Sequence, residues 1–339
     1  MKQHIKLLRK DSYPKLIQKL LEKQQVYGPV LQGKRVGYQR ISSLDETTDN
    51  FIIPDMSIKS FVFPRVEKLF SYKQHKDQVD VQDINLEAIP YKVILGVRPC
   101  DAMGIENIAA VFEWDPEDPI FKKRAERTTI IGLACNKADD YCFCTSIGGN
   151  PGNTKGSDML LTKMDNGDFI AEIITPKGEA VVSLAPELFE TLENPDKDKY
   201  LANVPKRFDD SKLEEKMKNA FDSDIFDEYA MRCLGCAACA YVCPVCACFD
   251  IQDETRGSKG QRLRSWDSCG AKLFTLHTSG HNPRETQGAR WRQRLMHKFS
   301  YMPERLSVRG CVGCGRCSRR CPVDMNIAES LEAIARIII

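Results

Sequence analysis

Fifteen cysteines stand among 339 residues, and eight of them fall into two copies of one pattern. Residues 233–245 read CLGCAACAYVCPV and residues 311–323 read CVGCGRCSRRCPV; the cysteines and the proline superimpose without gaps. Each copy is C-x2-C-x2-C-x3-C-P, made by Cys233, Cys236, Cys239 and Cys243, and by Cys311, Cys314, Cys317 and Cys321. A [4Fe-4S] cubane needs four thiolates converging on its corners. Three closely spaced cysteines on a loop reach three of them, and the fourth, beyond a helical turn, points towards the other cluster. The pattern therefore predicts two cubanes with crossed ligands: Cys233, Cys236 and Cys239 with Cys321, and Cys311, Cys314 and Cys317 with Cys243. Zinc is the alternative. A zinc ribbon, however, is built from two C-x2-C pairs and needs neither a third evenly spaced cysteine nor the proline.

Four more cysteines lie near the middle of the chain. Cys100 sits in GVRPCDAMGIE, and Cys135, Cys142 and Cys144 sit in LACNKADDYCFCTSIGGNP, each stretch following a strand-like run. If the two strands are neighbours in one sheet, all four thiols come from loops at one edge and could hold a third cubane. The plainer alternatives are small buried cysteines at strand ends, or zinc at the C-x-C pair. Asp101 could replace a cysteine as ligand or cap the helix that follows. Cys246, Cys248 and Cys269 remain, and packing is the expectation for them, ahead of a redox or ligand role.

The elements that must position these thiols are partly legible. Leu16, Ile17, Leu20 and Leu21 recur at helical spacing, and Gly28-Pro29 ends the run. KRVGYQRIS and FVFP read as short strands. YKVILGV reads as a buried strand leading through Cys100 into a helix, and TTIIGLAC as a second buried strand. Residues 159–179 alternate like a hairpin around Asn166-Gly167. A polar, proline-containing stretch at 194–212 suggests a boundary. The expected class is α+β, with a mixed α/β domain over 1–205 and an α-helical two-cluster ferredoxin-type domain over 206–339. A helix is expected from about Leu213 to Tyr229, several more across residues 244–310, and a short final one.

Taken together, GVRPCDAMGIE, LACNKADDYCFCTSIGGNP, CPVCACFD, SWDSCG, HNPR, RQRLMHKF and FVFPRVEKLF resemble the iron–sulfur subunit of anaerobic sulfite reductase and the beta subunit of archaeal sulfhydrogenase (hydrogenase/sulfur reductase). The likeness runs over nearly the whole chain and shows no departure at the cysteines. It implies an electron-transfer subunit placed between a flavin subunit that oxidises a nicotinamide and a catalytic subunit that reduces sulfite, polysulfide or protons. It also implies that Cys100, Cys135, Cys142 and Cys144 belong together as one ligand set.

The remaining features narrow the function. Residues 284–309 carry Arg284, Arg290, Arg292, Arg294, Lys298, Arg305 and Arg309 against Glu285 and Glu304. Arginines beside an anionic cubane raise its potential; a solvated basic face and a docking surface for an acidic partner are the alternatives. His277, His281 and His297 are expected to make structural hydrogen bonds rather than bind metal. Net charge is +2, which speaks against a nucleic-acid binder. No apolar run is long enough to span a bilayer and no signal peptide is legible, so the expected location is cytoplasmic. G-x-G-x-x-G after a strand, H-E-x-x-H and a P-loop are all missing from the sequence, and no flavin is expected in this chain. The reading is an electron relay within a multisubunit anaerobic oxidoreductase. A self-contained redox enzyme with a catalytic cluster in the N-terminal domain is the alternative, and a scaffold in which clusters only stabilise the fold is the third.

Overall fold

A computed structural model describes residues 4–337. The chain opens with strand β1 (His4–Leu8) and helix α1 (Tyr13–Lys23), followed by strands β2 (Gln25–Gln32), β3 (Arg35–Arg40), β4 (Val66–Gln74), β5 (Val79–Asp83) and β6 (Lys92–Val97). Helices α2 (Pro99–Phe112) and α3 (Pro119–Glu126) lead to β7 (Thr128–Leu133), β8 (Met159–Lys163), β9 (Phe169–Ile173), α4 (Pro176–Ser183) and β10 (Phe189–Thr191).

Eight of these strands form one sheet in the order β10-β1-β9-β8-β7-β6-β2-β3, with β2, β6, β7 and β8 parallel. A central parallel strand is covered on both faces and so reads as an unbroken apolar run. In β6 the run KVILGV divides by alternation. Val93 and Leu95 face Leu16, Ile17 and Leu20 of α1. Ile94 and Val97 face Ala102 and Ile108 of α2 on the other side. The sheet is thus the middle layer of three. The hairpin expected at Asn166-Gly167 is present: β8 and β9 pair antiparallel, and Gly167 takes φ +89° in the turn.

The second half departs from expectation. Helices α5 (Leu213–Asn219), α6 (Ile225–Ala230) and α7 (Ala238–Tyr241) come first. The single helix expected over 213–229 is broken between Asn219 and Ile225. Strands β11 (Phe249–Arg256) and β12 (Lys259–Trp266) then form a hairpin where helices were expected. Gly257, at φ +62°, opens its two-residue loop. Strand β12 pairs with β4, giving a second sheet in the order β11-β12-β4-β5. The segment 206–339 is therefore not all-helical, and its hairpin shares a sheet with the first half of the chain. Both β5 and β11 are solvent-exposed edges rich in Asp, Glu and Gln, a composition that blunts edge pairing. FVFP at 61–64 is no strand; it follows a 3-10 turn at Ile58–Phe61.

Helices α8 (Gln287–Met296), α9 (Met302–Leu306), α10 (Arg316–Arg319) and α11 (Ile327–Ala335) finish the fold, with a π-helical turn at His297–Tyr301 joining α8 to α9. Met217, Phe226, Trp291, Leu295, Phe299 and Leu331 make the second core. Among the described residues no helix is long and apolar enough to cross a membrane.

Candidate metal centres

The parallel pairing of β6 with β7 puts both strand ends at one sheet edge. Cys100 is the second residue of α2 just past β6, Cys135 follows β7, and Cys142 and Cys144 sit in the next loop. All four line one void together with Arg98, Ile52, Ile53 and Cys314. Arg98 is buried and ties the surrounding loops: Nε donates to the Ile52 carbonyl at 3.0 Å and Nη1 to the Ala134 carbonyl at 3.1 Å. Burial pushes the Cys135 thiol up to about 11 and Cys144 up to about 12. These thiols are therefore neutral until a bound cation displaces their protons.

A second void is lined by Cys311, Cys314, Cys317 and Cys243, with Arg294, Lys298, Phe143 and Ile327. These four cysteines are the crossed set expected from the repeat. Cys314 borders both voids, so the two thiol sets are neighbours. The approach of the second motif to the N-terminal loops depends on glycine. Gly313 (φ +64°) would place a Cβ 2.5 Å from the backbone of Cys144, and Gly315 (φ +69°) would place one 2.3 Å from the Tyr141 carbonyl. Only a residue without a side chain fits such a contact. The first motif repeats the same left-handed turns at Gly235 and Ala237.

Of the remaining set, Cys233 and Cys321 both pack against the second core. Cys233 Sγ accepts from Gln287 Nε2 at 3.1 Å. Cys239 faces Arg294 and Cys317, and burial pushes its thiol up to about 11. Cys236 is exposed, and so are Met231 and Leu234 shortly before it, at 82% and 66%.

Positive charge converges on these sulfurs. Lys298 Nζ lies 3.4 Å from Cys243 Sγ, and Arg294 Nη1 lies 3.3 Å from Cys246 Sγ. Although burial works against its charge, Lys298 is held protonated by Cys243 and Cys246. Arg319 pairs with Asp139 and donates to Cys142 Sγ at 3.3 Å. The basic segment is thus only partly a solvated face: Arg290, Arg294 and Lys298 are buried, Arg309 pairs with Asp210, and Arg305 is exposed. Asp101 neither caps α2 nor faces a thiol as a ligand. Its carboxylate is engaged from both oxygens by Arg316 at 2.5 Å, and both side chains are buried.

His277 and His281 are exposed and stack edge to face at 5.4 Å, while His297 is half-buried. Among the described residues no group of three or more His, Cys, Asp or Glu is placed to hold a single metal ion. Thiolates around a cubane each meet a different iron, so they stand wider apart than ligands around one ion. The voids, the buried cations and the left-handed glycines fit such a group. Lys59, Arg98 and Gln287 escaped sequence reasoning. Arg98 could have been suspected from its place two residues before Cys100; nothing marks Lys59, which reaches the site from a distant turn.

A family model described as a 4Fe-4S dicluster domain matches residues 232–325, so that stretch carries a 4Fe-4S dicluster domain. Over 338 residues the chain is 30% identical to sulfhydrogenase 2 subunit beta of Pyrococcus furiosus, a match covering 96% of this chain and 97% of that protein. The chain belongs to the sulfhydrogenase beta subunit family. No solved structure matches it.

Proposed function

We propose that the chain is an iron–sulfur electron-transfer subunit, relaying electrons between a partner that binds flavin and NAD(P)H and a catalytic subunit of the sulfite reductase or hydrogenase/sulfur reductase type. A bound [4Fe-4S] group supplies one-electron redox chemistry. On this reading Cys233, Cys236, Cys239 and Cys321 hold one such group. Cys311, Cys314, Cys317 and Cys243 hold a second, and Cys100, Cys135, Cys142 and Cys144 a third. The observation that carries the reading is the shared wall at Cys314: two four-cysteine voids adjoin there, and Cys239 faces Cys317 on the far side. The three sets thus follow one another from the exposed Cys236 loop to the edge of the large sheet. Buried Arg294 and Lys298, with half-buried Arg319, set the local charge along that line.

The chain itself carries no flavin on this reading, works in the cytoplasm, and divides at 205/206 into sequence units whose strands interleave. The alternative of a self-contained enzyme would draw on a cluster with an open iron or on Asp101 as an exchangeable ligand, and the engagement of that carboxylate by Arg316 counts against the second of these.

Iron and zinc per chain after anaerobic purification test the ligand sets. About twelve irons and no zinc support all three. About eight irons leave the N-terminal set structural. Added NADH should not reduce the isolated chain, and should do so once a flavoprotein partner is supplied. NADH oxidation by the pure chain with stoichiometric bound flavin would overturn the relay.

A further inference from the structure

Three cysteines stand outside the twelve, and the fold brings them together. Cys248 immediately precedes β11, and Cys269 lies three residues beyond β12. Phe249 pairs with Trp266 at the base of the hairpin, and the Asp267 amide donates to the Cys248 carbonyl at 3.0 Å. The turn that follows is closed by the Ala271 amide on the Ser268 carbonyl at 2.9 Å and by the Gly270 amide on Ser268 Oγ at 3.0 Å. This turn folds the chain back so that the Cys248 and Cys269 side chains come to lie beside each other. Cys246 lies alongside, in contact with Cys243.

Three cations surround this group. Lys59, Arg294 and Lys298 are 2%, 3% and 4% exposed. Among the described residues none of the three is paired with a carboxylate. Their donors go to the carbonyls of Cys246, Cys239 and Gly310 and to the sulfurs of Cys246 and Cys243. Lys59 Nζ also lies 3.7 Å from the Trp266 ring, at the end of β12. Buried charge without a counter-ion is costly, so the compensating negative charge must come from sulfur. Arg294 and Lys298 also face the two ferredoxin-type sets. Lys59 faces Cys246, Cys243 and Cys248, and so serves the leftover thiols as well.

We propose that Cys248 and Cys269 form a redox-active dithiol, a two-electron centre beside the relay. In the oxidising direction each thiol loses its proton, one S–S bond forms, and two electrons leave. In the reducing direction two electrons and two protons cleave that bond and restore both thiols. The electron partners are one-electron iron–sulfur groups, each exchanging one electron; naming them rests on the relay reading. The pair stands beside Cys239, to which Cys269 is electrostatically coupled. Such a centre matches carriers that exchange electrons in pairs to groups that exchange them singly.

The test uses anaerobically purified, iron-loaded full-length chain. It is poised with thionine or with dithionite, quenched in acid, alkylated with N-ethylmaleimide under denaturing conditions and read by peptide mass spectrometry. The expected result is a Cys248–Cys269 linkage in the oxidised sample, and alkylation of both in the reduced one. A reductive titration of wild type should consume two electrons per chain more than Cys269→Ser at equal iron content. Free, alkylated Cys248 and Cys269 in the thionine sample overturn the proposal, as does a linkage through Cys246 instead. Equal electron counts for wild type and Cys269→Ser overturn it too. Should Cys269→Ser not fold, Cys248→Ser and the wild-type linkage decide. Loss of the relay reading would show in the iron count, which the thiol assay does not share.

Discussion

Replacing Arg316 with methionine tests the joint between the two halves of the chain. Arg316 sits between Cys314 and Cys317, and Asp101 adjoins Cys100, so this pair fastens the second cysteine motif to the N-terminal thiol set. The guanidinium meets both carboxylate oxygens at 2.5 Å and donates from Nε to the Pro54 carbonyl at 2.8 Å. The two side chains are 1% and 0% exposed. Removing one partner of a buried pair leaves the other charge without water or counter-ion, which costs about 3–5 kcal/mol. Arg316→Met should therefore destabilise by about that much, and Asp101→Leu by less, because an arginine can still reach the Pro54 carbonyl. The double replacement should recover most of the loss, since a buried pair exchanged for apolar groups is often neutral. Anaerobic urea unfolding followed by far-UV circular dichroism reads the three values, and iron per chain is measured on each variant. A single-variant cost below about 1 kcal/mol, the value of an exposed pair, would refute the argument. So would strict additivity of the two replacements.

Three further outcomes follow from the same contacts. Lys298→Met removes a buried cation 3.4 Å from Cys243 Sγ; the potential of the group held there should fall by about 60 mV or more, read by redox-poised EPR, and an unchanged potential would place that charge outside the site. Gly313→Ala drives a Cβ into the Cys144 backbone from a left-handed turn, so iron should be lost first from the set at Cys100, Cys135, Cys142 and Cys144; full iron content would count against the close approach. Burial holds Lys92 down at about 8, where it donates to the Phe61 carbonyl at 3.1 Å. The folded state then binds fewer protons than the unfolded state between pH 8 and the ordinary lysine range near 10.4, so stability rises with pH across that window, by up to about 3 kcal/mol. Lys92→Met should flatten the rise, and a rise unchanged in the variant would assign it to other groups.

Local pattern carried much of the first half. The runs KVILGV and TTIIGL are apolar because their strands are covered on both faces, and the α1 periodicity survives because one face alone meets the sheet. The hairpin β11–β12 was illegible for the opposite reason. Every residue of β11 is exposed, so neither face imposes an apolar alternation, and the strand that anchors the hairpin, β4, lies nearly two hundred residues earlier. Asp101 was misread because position and residue type both suit a cap. Only the folded chain places Arg316 over it.

The crossed thiol set was legible because the repeat encodes it locally: two left-handed turns, a short helix, then the fourth cysteine and proline. What joins the sets is tertiary and leaves a fainter trace. Gly313 and Gly315 meet the loop of Cys142 and Cys144, and Gly104 of α2 would carry a Cβ 2.7 Å from Pro244. The proline after the fourth cysteine of the first motif therefore does more than redirect its own chain. It seats Cys243 against α2, the helix that carries Cys100 in its first turn. A bulkier residue at Gly104 would push the two apart. Gly104→Val should thus disturb the set containing Cys243 and the set containing Cys100 together, seen as parallel loss of both in iron count and EPR. Loss of one with the other intact would show that the two sets are positioned independently.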